Sequence, residues 1–574
     1  MKKIFTFIPI LALGFCLTSW QAGARTLYVS PNGNDGNDGT ISNPWKKISY
    51  ALAQAQPGDT IFLRGGVYKE DERLITTRSG NPGAPITLMN FIGEIPIIDT
   101  TAISASGWGI AIRHDYISII GLKIRNFIAS NPALWIGANG DQFTWVRDIQ
   151  GVIIRNCEIS HCLFGIGIDG GVHDFVIDSC NIHGFTGDDA FGIDATADNG
   201  HDIYNGIISN CKSSSPGADI KSSGYQLGHI TSTDSATQYR SFHAVHDVHL
   251  VNCLADSMFD GFDISGYNNI LDRCVAHHTF GDAGFKLWGM SVTLMNCLSY
   301  DNNVNVELDG YLNLTPPPHA TLYNCTFVNS VTYNINLEPD SARLKMYNCI
   351  VVGGNNICFN SETTFDKSFY IGDYNIFSID PSAGRIFADG TNDMDITAFR
   401  SQWTNFSGGS DSHSIVIDDP TKLFLDTTAR NINLHLKESS PAISAGIIIP
   451  GETPVIDFDG KSRNGGKNDI GAYKYTTTGA VHGVNSQPEN NVQIFPNPAR
   501  ENLVTIRYSL LKPGNTTIRI IDFLGNTVSI PLDAREEAGE HSLELNTTDF
   551  PFGTYFCRVS ENAAYGESKF QIIR

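Results

Sequence analysis

Six triplets in the middle of this 574-residue chain end in a residue able to carry charge: Gly167-Ile168-Asp169, Gly192-Ile193-Asp194, Asp219-Ile220-Lys221, Gly261-Phe262-Asp263, Gly284-Phe285-Lys286 and Asn305-Val306-Glu307. If the triplets stack, Asp169, Asp194, Lys221, Asp263, Lys286 and Glu307 form one outward column. Carboxylates one repeat apart in such a column can share a hard cation, and Ca²⁺ takes several oxygen ligands at about 2.4 Å. The bland alternative is a solvated ladder of mixed charge. His243, His246 and His249 are three residues apart on a strand-like stretch. They cannot all face one side and read as solvated surface.

The element that would stack the triplets is a repeat. Cysteine recurs at 157, 180, 211, 253, 274, 297, 325 and 349. Three residues before these cysteines stand Ile154, Ile177, Ile208, Leu250, Leu271, Leu294, Leu322 and Met346, with a further alternating position two earlier. Period-two alternation marks a strand with one buried face. The residue just before the cysteine is Asn in six of the eight repeats, and Asn tolerates the left-handed conformation of a sharp bend. Each repeat therefore reads as a strand, a tight bend, a second strand and a variable loop carrying the triplet. Such repeats stack as a right-handed parallel β-helix, with the cysteines as a buried stack of small apolar side chains.

Composition limits the functional classes. Length alone predicts three or four domains. Charged residues make up only 17% of the chain, which excludes a coiled coil and a disordered polymer. Acids outnumber bases 60 to 39, for a net charge of −21. Such a surface does not hold a polyanion by diffuse attraction, so no nucleic acid is expected, and an acidic ligand needs a local device. Lys2-Lys3, the apolar run from Ile4 to Leu17 and Ala22-Gly23-Ala24 read as a signal peptide over residues 1–24. No later segment reads as a membrane span. Removing the signal leaves an odd number of cysteines, so no complete disulfide framework is expected.

After a linker at residues 481–490 the chain changes to short alternating strands with turns at Gly525 and Gly553, as in a small β-sandwich. Phe495-Pro496-Asn497-Pro498, Asp522 with Gly525, Phe552-Gly553-Thr554-Tyr555-Phe556 and Lys569 make residues 491–574 resemble the C-terminal sorting domain of the type IX secretion system. That resemblance implies a protein exported through the periplasm to the cell surface or medium, with the secretion machinery as a partner.

Residues 25–480 form the β-helix domain on this reading. Its opening, Thr26-Leu27-Tyr28-Val29-Ser30-Pro31-Asn32-Gly33-Asn34-Asp35 with a short helix over Ile48 to Ala55, resembles that of secreted β-helix carbohydrate enzymes. Ser440-Pro441-Ala442-Ile443 and Asp469-Ile470-Gly471-Ala472-Tyr473 resemble their closing end. At Asp260-Gly261-Phe262-Asp263 and Gly284-Phe285-Lys286-Leu287-Trp288-Gly289 the chain resembles polysaccharide lyase family 9. The resemblance implies Asp260 and Asp263 as calcium ligands, Asp219 as a further ligand on the preceding coil, and Lys286 as a base. Phe259 departs from the pattern, standing where the family carries the first Asp of its pair. The implied reaction is β-elimination on an acidic plant polysaccharide, pectate or rhamnogalacturonan, by a monomer. A cation on the substrate carboxylate would stabilise developing charge and favour the neutral form of a nearby lysine. Two rivals remain open. Gly187-Asp188-Asp189-Ala190-Phe191 and Gly228-His229 resemble glycoside hydrolase family 28, without its Arg-x-Lys partner; a non-catalytic glycan-binding β-helix is the other.

Overall fold

The computed structural model describes residues 23–476 and 492–572, apart from 71, 104–107, 129–130, 138–145, 186–189, 198–200, 216–220, 229–243, 310–318, 339–341, 354–356, 380–384, 428–431, 464–466 and shorter stretches after 495. The chain divides into two compact units between Thr476 and Thr477, not the three or four that length suggests. The reason is architectural: a solenoid lengthens by adding coils to one continuous core instead of starting a new one.

The first unit is a parallel β-helix. Among the described residues its three parallel sheets hold 14, 13 and 12 strands, visited in turn by each coil. The cysteine-anchored bend joins the first sheet to the second. All eight residues preceding the repeated cysteines have φ between 52° and 56°, including the two that are not Asn, Ser179 and Arg273. A second left-handed column, which the repeat reading lacked, joins the second sheet to the third through Asn126, His161, Gly184, Ser257, His278, Asp301 and Asn329. Each coil therefore has three strands, not two. The segment expected as a loop carrying the triplets is the third strand. Its Gly and polar residues break the alternation by which a strand is recognised.

The third sheet is shaped by a glycine ladder. A Cβ on Gly261 would sit 2.4 Å from the carbonyl oxygen of Gly284, and one on Gly224 2.6 Å from that of Gly261. Successive strands approach there too closely for any side chain. Just beyond, Tyr225, Phe262 and Phe285 stack inward in register at 4.7 and 4.9 Å. Fully burying such rings contributes roughly 2–3 kcal/mol each. The eight repeated cysteines are buried and free, as a packing role requires.

The ends are closed by helices. Ile48–Gln54 buries Ile48, Ala51 and Leu52 over the first coil. At the other end Ile396–Phe406, capped by the Asp395 carboxylate accepting from the Ala398 N–H, buries Phe399 and Trp403 against Phe359, Phe377 and Phe387. The segment with closing-end motifs does a different job. Leu434, Leu436, Ala442, Ile470, Ala472 and Tyr473 cover an outward apolar patch of Leu298, Val328, Ile350 and Ile376. Buried Arg463 ties it down, donating to the Asn296 side chain and to the carbonyls of Gly471 and Ala472.

Among the described residues the second unit has two antiparallel sheets, of three and four strands, around one apolar core that includes Ile506, Ile518, Val559 and Phe570. Among the described residues no helix is long and apolar enough to cross a membrane.

Candidate active site

On the outer face of the third sheet the strand register sets one residue per coil in a column. It runs Trp135, Gly167, Asp194, Gln226, Asp263, Lys286, Glu307, Asn336, Asn360. Four of the six residues expected from the triplets therefore fall in register. Two do not. Asp169 pairs with Thr196, two residues further along its strand, and Gly167 takes its place. Lys221 is exposed and precedes the strand Ser222–Leu227, whose Gln226 occupies the column. The cysteine does not fix this register, because the bend between the second and third strands varies in length from coil to coil. Asp219, Asp188, Asp189, His229 and His243 lie outside the described residues. His246 is stacked between Tyr204 and Tyr267 and His249 is exposed, so neither approaches the column.

Charge concentrates on two neighbouring strands, Asp260–Ile264 and Ala283–Leu287. Asp263 and Lys286 are direct register partners. The Lys286 Nζ donates to Asp282 Oδ2 at 2.7 Å and lies 4.0 Å from Asp309 Oδ2 and 5.9 Å from the Trp288 ring centroid. Asp260 is buried at the start of its strand, and its Oδ1 accepts from the backbone N–H groups of Asp282 and Ala283 at 3.1 and 3.2 Å. Asp263 is 7% exposed, and its Oδ1 is buried with no hydrogen-bond partner. On the far side, Glu307 Oε1 accepts from Asn336 at 3.2 Å, and Asn336 Oδ1 from Asn360 at 2.8 Å.

This crowding perturbs every member. Burial raises the Asp260 carboxyl above the usual carboxylate range, Lys286 partly offsetting it. Burial and the Asp260 charge raise Asp263 further. Burial pushes Glu307 up to about 7. For Lys286 burial alone would favour the neutral amine, but Asp263, Asp282 and Asp260 outweigh it and hold the ammonium above the ordinary lysine range. The balance is an excess of negative charge around one amine, with one buried carboxylate oxygen left over.

That pattern fits a hard cation. The donors at Asp260 and Asp263 are all oxygen, as Ca²⁺ prefers, and an orphaned buried carboxylate oxygen is costly unless something positive meets it. Phe259 offers no ligand: its ring packs over Gly281, where a Cβ would lie 2.3 Å from it. Asp282 and Asp309, which belong to the same cluster, lie outside the triplets. The four-residue spacing of Asp282 from Lys286 was the one available signal for the first; the second needed the register.

An all-oxygen carboxylate group thus stands beside a lysine on the outer face of a parallel β-helix. Residues 27–312 match the Pel9A-like right-handed β-helix region, and residues 493–574 the secretion system C-terminal sorting domain. The β-helix of this chain is thus similar to the Pel9A-like family over residues 27–312, and its last segment to the sorting domains. The chain is 45% identical over 76 residues to pectate lyase PEL9 of Emericella nidulans, covering 13% of this chain and 18% of that one. It is 35% identical over 134 residues to pectate lyase L of Paenibacillus polymyxa, covering 22% and 28%. An uncharacterised Bacillus subtilis protein, YwoF, is 35% identical over 117 residues, covering 19% and 24%. The chain thus spans less than a third of the length of each of these curated relatives. Among solved structures it is similar to that of pectate lyase Pel9A, at 16% identity and a TM-score of 0.43, over 79% of this chain and 98% of that one.

Proposed function

We propose that this protein is an exported polysaccharide lyase that cleaves a pectic polyuronate by β-elimination, with Lys286 as the base and Ca²⁺ held by Asp260 and Asp263. The observation that carries the reading is the register pairing of Asp263, whose buried Oδ1 has no partner, with Lys286. Asp219 completes the proposed ligand set, and Asp282 adds negative charge beside Lys286. In domain terms, residues 1–24 are the signal peptide, 25–480 the catalytic β-helix, 481–490 the linker and 491–574 the segment read by the type IX machinery.

The chemistry follows from the charge distribution. Elimination across C4–C5 of a uronate begins with loss of the weakly acidic C5 proton. Ca²⁺ held by Asp260 and Asp263 would supply positive charge to the substrate carboxylate, where negative charge develops. Lys286 Nζ takes the proton, and for that it must first be neutral. The carboxylates of Asp263, Asp282 and Asp260 keep it protonated in the cation-free protein. A cation held beside it would lower its pKa against the carboxylates, so the rate should rise with pH from 7 towards about 9 as the neutral fraction grows.

The test is product identity on a panel of acidic polysaccharides, pectate and rhamnogalacturonan included. Elimination gives an unsaturated, ultraviolet-absorbing end that disappears with chelator and returns with Ca²⁺. Reducing ends without that absorbance would replace this reading with a hydrolase, and binding without any product with a glycan-binding β-helix.

A further inference from the structure

A second cluster lies one bend upstream of the active-site strands, on the opposite side of the left-handed turn between the second and third sheets. Asp256 and His277 are register partners on adjacent strands of the second sheet. His278 follows His277 directly and would point to the other face if the strand continued. Its φ of 56° turns the chain instead and brings both imidazoles to one place. Their Nδ1 atoms are 2.7 Å apart, with ring planes at 89°. Asp256 Oδ1 lies 3.3 Å from His277 Nδ1 and 3.9 Å from His278 Nδ1.

These three separations scatter around the roughly 3.3 Å that neighbouring ligands keep when a tetrahedral ion holds each at about 2.0–2.1 Å. Two imidazoles and one carboxylate suit zinc-class ions and not Ca²⁺, which prefers oxygen throughout. The surroundings supply what such a site needs. The Tyr300 ring stacks on His277 at 5.1 Å and fixes its plane. On the far side of His278, Asp301 Oδ2 is 4.0 Å from Nε2 and is buried without a hydrogen-bond partner. A carboxylate facing the distal nitrogen of a ligating histidine is the usual way its orientation is set. Lys212 Nζ stands 3.5 Å from Asp256 Oδ2, and the Ser257 hydroxyl donates to Oδ1 at 3.0 Å. The lysine engages the other carboxylate oxygen and leaves Oδ1 directed at the histidines.

We propose that Asp256, His277 and His278 form a binding site for a zinc-class divalent ion, with Asp301 as the positioning residue for His278. Asp256 precedes Asp260 by four residues and His278 precedes Asp282 by four, so the ion clips together the two coils whose next strands carry Asp263 and Lys286. The site stands independently of the lyase reading, because none of its residues belongs to the proposed calcium set.

The experiment uses the untagged full-length protein, stripped with chelator and returned to excess Ca²⁺. Titration with Co²⁺, followed by its visible ligand-field absorbance, and with Zn²⁺, followed by calorimetry, should show one equivalent bound at micromolar affinity or tighter. His278→Gln, at an exposed position that tolerates substitution, should weaken binding about 100-fold, and Asp301→Asn about 10-fold. Zn²⁺ should raise the melting temperature of the parent and not of His278→Gln, while Asp263→Asn retains full uptake. Absence of the cobalt spectrum would overturn the proposal, as would uptake unchanged in a folded His277→Gln, His278→Gln double variant.

Discussion

Two columns run along the same β-helix and follow opposite rules. At the first bend the residue type repeats: cysteine at eight successive bends, each preceded by a left-handed residue, all buried and free. On the outer face of the third sheet the column changes identity at nearly every coil, from Trp135 through Asp194, Asp263, Lys286 and Glu307 to a pair of asparagines. A stacked core rewards repetition, because each coil packs on a copy of itself about 4.8 Å away. A ladder of like charges would repel, so a charged column persists only where unlike groups alternate or a bound ion joins them. In a solenoid, the coils that break the repeat are where chemistry is to be sought.

Substitutions in the two columns should therefore separate activity from stability. The largest effect is expected for Lys286→Ala, which should lower the rate of unsaturated-product formation about 10²- to 10⁴-fold, the usual contribution of a general base, without loss of the β-sheet circular dichroism signal. Asp263→Asn comes next. It should weaken Ca²⁺ binding measured by calorimetry and cost activity that only excess Ca²⁺ partly restores. In chelator the same variant should melt no lower than the parent, because it removes a buried carboxylate with an unpartnered oxygen.

Gly261→Ala tests the ladder between the columns. A Cβ there would sit 2.4 Å from the Gly284 carbonyl, so a loss of about 1–3 kcal/mol in denaturant unfolding is expected, with the active-site strands displaced as well. The smallest effect should be Cys253→Ala. Its Sγ is buried and donates to the Ile208 carbonyl at 3.4 Å, and its removal should cost about 1 kcal/mol and leave kcat unchanged. A Cys253→Ala enzyme that is stable but inactive would erase the contrast between the columns.

The same contrast explains what was legible in the sequence. The cysteine repeat and its preceding Asn announce a β-helix because the core repeats in residue type, and all eight bends fall where that pattern sets them. Even Ser179 and Arg273 adopt the left-handed conformation, so the stack imposes the bend where the residue does not favour it. The third strand escaped notice because glycine and charge at Asp260-Gly261-Phe262-Asp263 replace apolar alternation there. Asp263 and Lys286 were placed in the column that the strand register bears out. Lys221 and Asp169 were not, since lateral register depends on bends that vary from coil to coil. The His277-His278 cluster was invisible for a related reason. Only the second left-handed column, unmarked by any repeated residue type, brings adjacent side chains to one side.

The most direct test of the account is Lys286→Arg, assayed for ultraviolet-absorbing product at pH 9 in saturating Ca²⁺. Arginine keeps the positive charge beside Asp282 and Asp263 but does not give up its proton at that pH. The account predicts a folded, Ca²⁺-binding protein with no more turnover than Lys286→Ala. Turnover within tenfold of the parent would show that Lys286 contributes charge alone and that the base lies elsewhere.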